Sequence, residues 1–153
     1  MMICFLKIPI QEALILKIFK SKGFIVIILI VLCVLIIAGV IFGLYMKRVN
    51  TYQDMVKNTI ISDVKISDIP DGSYTGEYDV DFIYAKVEVV VSSGVITNII
   101  ILEHRNDRGN TAESITGDII SSQSIDVDAV SGATNSSTVL RKAVELALIE
   151  HDS

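Results

Sequence analysis

Tryptophan is absent from this chain of 153 residues, and cysteine, proline and histidine occur twice each. Both cysteines, Cys4 and Cys33, precede Arg48. Everything beyond that point is therefore without a disulfide, a thiol nucleophile or a cysteine metal site. Basic residues are also scarce there: six basic and one acidic residue lie up to Arg48, against seven basic and seventeen acidic beyond it. So acidic a region does not seek nucleic acid or anionic lipid through bulk electrostatics. The chain has no internal repeat and no low-complexity tract.

Charge is missing altogether from Phe24 to Tyr45. At 1.5 Å per residue that run reaches roughly 33 Å, enough to cross the hydrocarbon core of a bilayer. It accounts for an apolar fraction of 51% and a mean hydropathy of +0.57. A cleaved signal peptide is the competing reading, but signal cores run about 7 to 15 residues and end at a small-residue site. This run is longer and stops at Met46-Lys47-Arg48, which favours an uncleaved anchor. Lys7, Lys17, Lys20 and Lys22 precede the span and Lys47 and Arg48 follow it, a bias that places the N-terminus in the cytoplasm and the C-terminal part outside the cell membrane. The patch Ala13 to Phe19 reads as a short interfacial helix.

Beyond the span, Val49 to Ile61 is compatible with a short helix, and Ile69-Pro70-Asp71-Gly72 is a turn signal. Ser73 to Val80 reads as a strand, with Gly76 marking a bulge or a close backbone approach. Between Phe82 and Leu102, Ala85, Val87, Val89 and Val91 alternate with Tyr84, Lys86, Glu88 and Val90. Ser92-Ser93-Gly94 then breaks the run, which predicts an antiparallel hairpin. A polar loop is expected over 103–109, a helix over 111–121 and a final amphipathic helix over 135–150 striped by Val139, Ala143, Leu146 and Ala147. The expected architecture is α+β: one N-terminal transmembrane helix, then a small antiparallel sheet packed with helices. The expected divisions are a basic cytoplasmic segment at 1–23, the span at 24–46, a linker or short helix at 47–70 and a compact domain at 71–150.

The stretch Asp128-Ala129-Val130-Ser131-Gly132-Ala133-Thr134 carries the chemistry. Gly132 permits φ > 0, Ala133 is small, and the helix start that follows offers unpaired amides where a phosphate would sit. Threonine is a poor nucleophile unless a base or an enzyme activates it. Asp128 could accept a proton or hold a metal ion. The plainer alternative is that Ser131, Thr134, Ser136 and Ser137 compete to cap the helix.

Asp128-x-x-Ser131-Gly132-Ala133-Thr134 resembles the flavinylation pattern of the FMN-binding domain family, found in subunits of the sodium-pumping NADH:quinone reductase, in the Rnf complex and in single-pass extracellular electron carriers. The resemblance extends over Asp71 to Leu148 through Asp71-Gly72-Ser73-Tyr74-Thr75-Gly76, the hairpin, Glu103-His104, Arg108-Gly109, Ala112-Glu113 and Gln123-Ser124. It implies that 71–150 is the FMN-binding domain. It further implies that Thr134 receives FMN through a phosphoester bond, that Ser131, Gly132 and Ala133 complete the cofactor-binding motif, and that Asp128 belongs to the signal recognised by a separate transferase using FAD and magnesium. The partners so implied are that transferase and membrane redox proteins such as a quinone reductase or an extracellular acceptor. The chain would then relay electrons as a carrier, with no catalytic residue and no metal ligand of its own. A noncovalent flavin-binding or sensory membrane module is the alternative.

Around the motif, several residues keep two readings. His104, Arg105 and Arg108 either approach the flavin or solvate a loop. Tyr74, Tyr78, Phe82 and Tyr84 either stack on the isoalloxazine ring or pack the sheet. Asp126, two places before the matching acid, reads as surface.

Overall fold

A computed structural model describes residues 22–105 and 110–149. The chain divides into two compact units, Met1–Arg48 and Val49–Ser153. Helix α1 spans Lys22–Lys57, 36 residues. The side chains from Ile25 to Tyr45 are exposed, and this part of the helix is long and apolar enough to cross a membrane. No separate helix begins at Val49: with neither Gly nor Pro between Tyr45 and Lys57, nothing interrupts the backbone ladder, and α1 runs on to Lys57. The interfacial helix expected over 13–19 lies outside the described residues, as do Lys7, Lys17, Lys20 and Cys4.

In the second unit, a 3-10 turn at Ile66–Asp68 leads into strands β1 Gly72–Asp79, β2 Tyr84–Ser92 and β3 Val95–Arg105. They form one antiparallel sheet in the order β1-β2-β3. Ser93 and Gly94, both left-handed at φ 56° and 73°, make the two-residue β2–β3 turn, the conformation that matches strand twist. Asp71 fastens that turn by accepting the Ser93 amide at 2.6 Å.

Alternation does what the sequence pattern requires. Ala85, Val87, Val89 and Val91 are buried and their neighbours Tyr84, Lys86, Glu88 and Val90 are not. Each buried valine is worth about 1.5–2 kcal/mol, so a one-residue slip of β2 would forfeit the whole row. A 3-10 turn at Asn110–Ser114 precedes α2 Ile115–Ser122, and α3 covers Thr134–Ile149. Helix α3 packs on β1 and β2, and α2 on β3. The buried face of α3 takes in Val139, Ala143 and Ala147 of the predicted stripe together with Leu140, Val144 and Leu148, whereas Leu146 turns partly to the surface because the face is centred away from it. Val56, Ile66 and Ile69 join the same core.

Two local devices position these pieces. A Cβ on Gly76 would sit 2.3 Å from both the Ala143 carbonyl oxygen and the Ala147 nitrogen, so the bare glycine is what lets α3 lie directly on β1. Gln123, left-handed at the end of α2, accepts the Ile96 amide at 2.7 Å and donates to the Ile96 carbonyl at 2.9 Å and the Ile120 carbonyl at 2.6 Å. One side chain thereby closes both a helix end and a sheet edge.

Candidate functional site

The motif folds as a turn feeding a helix. The Ala133 amide donates to the Val130 carbonyl at 3.0 Å, Gly132 sits at φ 78°, and Ser131 is not among the residues of positive φ. This is a type II turn, which requires a left-handed third residue. Ala133 is buried and its carbonyl accepts the Ser137 amide at 2.9 Å, the first bond of α3. An alanine thus fills the N-cap position, where a hydroxyl or carboxylate would ordinarily satisfy the first amides.

Capping by the hydroxyls does not occur. Ser137, fully buried, turns back and its Oγ accepts the Val130 amide at 3.1 Å, tying the turn to the second turn of the helix. Thr138 Oγ1 donates to the Thr134 carbonyl at 3.1 Å. Among the described residues, none accepts a hydrogen bond from the amides of Thr134, Asn135 and Ser136. These three donors and the helix dipole make the start of α3 attractive to an anion.

A cavity of about 570 Å³ opens beside that helix start, within the size range of small-molecule sites. Gln53, Val56, Lys57, Thr59 and Ile61 form one side, and Thr134, Asn135, Thr138 and Arg141 of α3 the other. Thr134, Thr138 and Arg141 follow at i, i+4 and i+7, one face of the helix. Thr134 is exposed and no hydrogen bond occupies its hydroxyl among the described residues. Asn135 donates from Nδ2 to the Tyr52 hydroxyl at 2.8 Å. Arg141 is fixed: its Nε donates to the Ile125 carbonyl at 2.8 Å and its guanidinium meets Asp126 at 2.6 Å. Asp126 is at the surface, as expected, and has this arginine to hold.

Ser131, Gly132 and Asp128 are exposed. The Asp128 carboxylate has no partner among the described residues, and neither it nor Ser131, Gly132 or Ala133 lines the cavity. Nor is there a group of three or more metal-binding side chains among the described residues.

His104 is no loop residue. Strand β3 continues past Leu102 because Tyr84 and Ala85 pair with Arg105 and His104. The imidazole is 2% exposed with Nδ1 3.1 Å from Glu113 Oε1. Arg105 contacts Asp79 at 3.4 Å and lies 5.7 Å from the centre of the Tyr84 ring; Arg108 lies outside the described residues. The four aromatic candidates do not line the cavity. Tyr74 donates to the Pro70 carbonyl at 2.7 Å, Tyr78 meets Thr59 at 3.0 Å, Phe82 packs on Tyr52 at 5.1 Å and Tyr84 donates to Glu77 at 2.9 Å.

Residues 81–149 match the FMN-binding domain family. FMN is the cofactor that this domain implies, and the cavity fits its phosphate end: the open amides of Thr134 and Asn135 stand at the start of α3 on its wall. The matched segment holds the whole motif, the turn and α3. No curated protein and no solved structure matches the chain. Lys57, Gln53, Thr59, Asn135 and Arg141 escaped the sequence reading. The i, i+4, i+7 polar row on α3 was a signal for Thr138 and Arg141, whereas nothing local in the sequence joins 53–61 to it.

Proposed function

We propose that this chain is a membrane-anchored flavoprotein that carries FMN on Thr134 through a phosphoester bond and relays electrons at the outer face of the membrane. The observation that carries the reading is the exposed Thr134 hydroxyl on the wall of the cavity, without a hydrogen-bond partner among the described residues, at the start of a helix whose first amides are open. Attachment balances as a transfer from FAD. Thr134 Oγ bonds to the FMN-side phosphorus, the pyrophosphate P–O bond breaks, AMP leaves and the hydroxyl proton passes to the transferase or to water. Among the described residues no base contacts the Thr134 hydroxyl, so the transferase would supply activation and magnesium. Asp128, exposed and unpaired, is available as its recognition acid.

Bound flavin supplies the redox chemistry. The α3 amides would receive its phosphate, Arg141 and Asn135 would keep the wall fixed, and Ile61 would offer apolar surface to the ring. A quinone reductase or an extracellular acceptor is the class of redox partner. The excess of basic residues ahead of the span supports an outward-facing domain.

Expression with and without a flavin transferase tests the proposal by in-gel flavin fluorescence and intact mass. An FMN-phosphate increment that depends on the transferase and disappears in Thr134→Ala is expected. Absence of the increment with transferase and FAD present sinks covalent attachment, and flavin that leaves on denaturation identifies a noncovalent module instead. Protease shaving of intact cells tests the orientation, which a protected C-terminal domain would overturn.

A further inference from the structure

The matched segment begins at residue 81, yet half of the cavity wall comes from earlier in the chain, from Gln53 to Ile61. That stretch is not loosely apposed. Tyr52 receives the Asn135 amide at 2.8 Å, Thr59 bonds Tyr78 at 3.0 Å, and Lys142 donates to the Ile60 carbonyl at 3.0 Å. Val56 is buried in the core. The wall is therefore built into the same fold as the motif.

Charge singles out one residue on it. Beyond residue 48, Lys65, Lys86, Arg105, Arg141 and Lys142 each pair with a carboxylate. Lys57 has no such partner among the described residues, although the region is strongly acidic. Arg141, the other cation of the cavity, is already neutralised by Asp126. An anion entering beside Thr134 thus meets one uncompensated ammonium, and it meets the open amides of α3 from the other side.

We propose that the segment 53–61, outside the matched domain, is the second wall of the flavin site, and that Lys57 is the cation that binds the FMN phosphate. The inference rests on the flavin reading above and adds to it a binding residue and a phosphate requirement. Because the ammonium is exposed, its contribution is that of a partly screened charge-assisted contact and falls with salt.

The full chain, purified in detergent without transferase, is titrated with FMN and with riboflavin, which lacks the phosphate, by flavin fluorescence at low and high salt. The expected result is tighter binding of FMN than riboflavin, a loss of about three- to tenfold for FMN alone in Lys57→Gln, and retention in Lys57→Arg. Lys65→Gln, at a lysine already paired with Asp68, is expected to change nothing. A wild-type chain that the transferase loads but that binds FMN no better than riboflavin overturns the role of Lys57 and leaves the flavin reading standing. Equal FMN affinity in wild type and Lys57→Gln does the same. A chain that binds neither flavin and is not loaded by the transferase removes the flavin reading itself, and the proposal with it.

Discussion

Asn135 donates a hydrogen bond to the Tyr52 hydroxyl at 2.8 Å across 83 positions of sequence. The contact joins the residue after the proposed attachment point to the end of α1, and the Tyr52 ring rests 5.1 Å from Phe82. Tyr52→Phe keeps that ring contact and removes only the hydroxyl. It is expected to cost about 1 kcal/mol of stability, read from urea unfolding of the full chain. Tyr52→Ala also strips the ring and is expected to cost about 3 kcal/mol.

The turn before α3 rests on one dihedral and one side chain. A Cβ at Gly132 would meet nothing within 4 Å, so Gly132→Ala pays only for φ 78°, about 1–2 kcal/mol. Ser137→Ala strands the Val130 amide, which now donates to Ser137 Oγ, at about 1–3 kcal/mol. Both variants should lose stability in denaturant, and both should slow transferase loading relative to wild type, because each loosens the presentation of Thr134. Loading at the wild-type rate would disconnect the turn's geometry from attachment.

Period and punctuation made the hairpin legible: valines at alternate positions have one buried solution, and Ser93-Gly94 has the residues that its turn demands. Gly76 was legible as a close approach, though not the helix that approaches. The motif could be read because its residues are contiguous. Half of the cavity could not, since Lys57 and Thr134 meet only through packing between segments 77 positions apart. His104 was misread for a related reason: polarity over 103–109 resembles a loop, but pairing with Tyr84 and Ala85 draws the strand onward.

Two glycine substitutions are expected to act in opposite directions. At Gly76 a methyl would lie 2.3 Å from the backbone of Ala143 and Ala147. Backbone cannot step aside like a flexible side chain, so Gly76→Ala should cost about 3 kcal/mol or more by displacing α3. At Gly117, within α2, nothing lies within 4 Å. Gly117→Ala should therefore stabilise by about 0.5–1 kcal/mol through helix propensity. Thermal unfolding of the two variants beside wild type reads both signs, and a neutral Gly76→Ala would contradict the tight α3–β1 packing.

Glu77 and Tyr84 set a pH response on the open face of the sheet. The Tyr84 hydroxyl donates to Glu77 Oε2 at 2.9 Å, and that bond, then the bond and charge of Lys86, hold the Glu77 carboxyl below its ordinary value of 4.5. The same bond is the main reason that the Tyr84 hydroxyl titrates above its ordinary 10.0. A depressed carboxyl contributes stability above its unfolded value and loses it as pH falls through the folded one. A raised phenol contributes below its unfolded value and loses it as pH rises through the folded one. The pair is thus intact from about pH 5 to 9 and fails on both flanks. In Glu77→Gln, one tyrosine should move to lower pH in the phenolate absorbance titration. In Tyr84→Phe, the Glu77 carboxyl followed by NMR should move to higher pH while remaining below its ordinary value, because Lys86 is still 3.4 Å away. Unchanged titration of both groups would show that the hydrogen bond does not persist in solution.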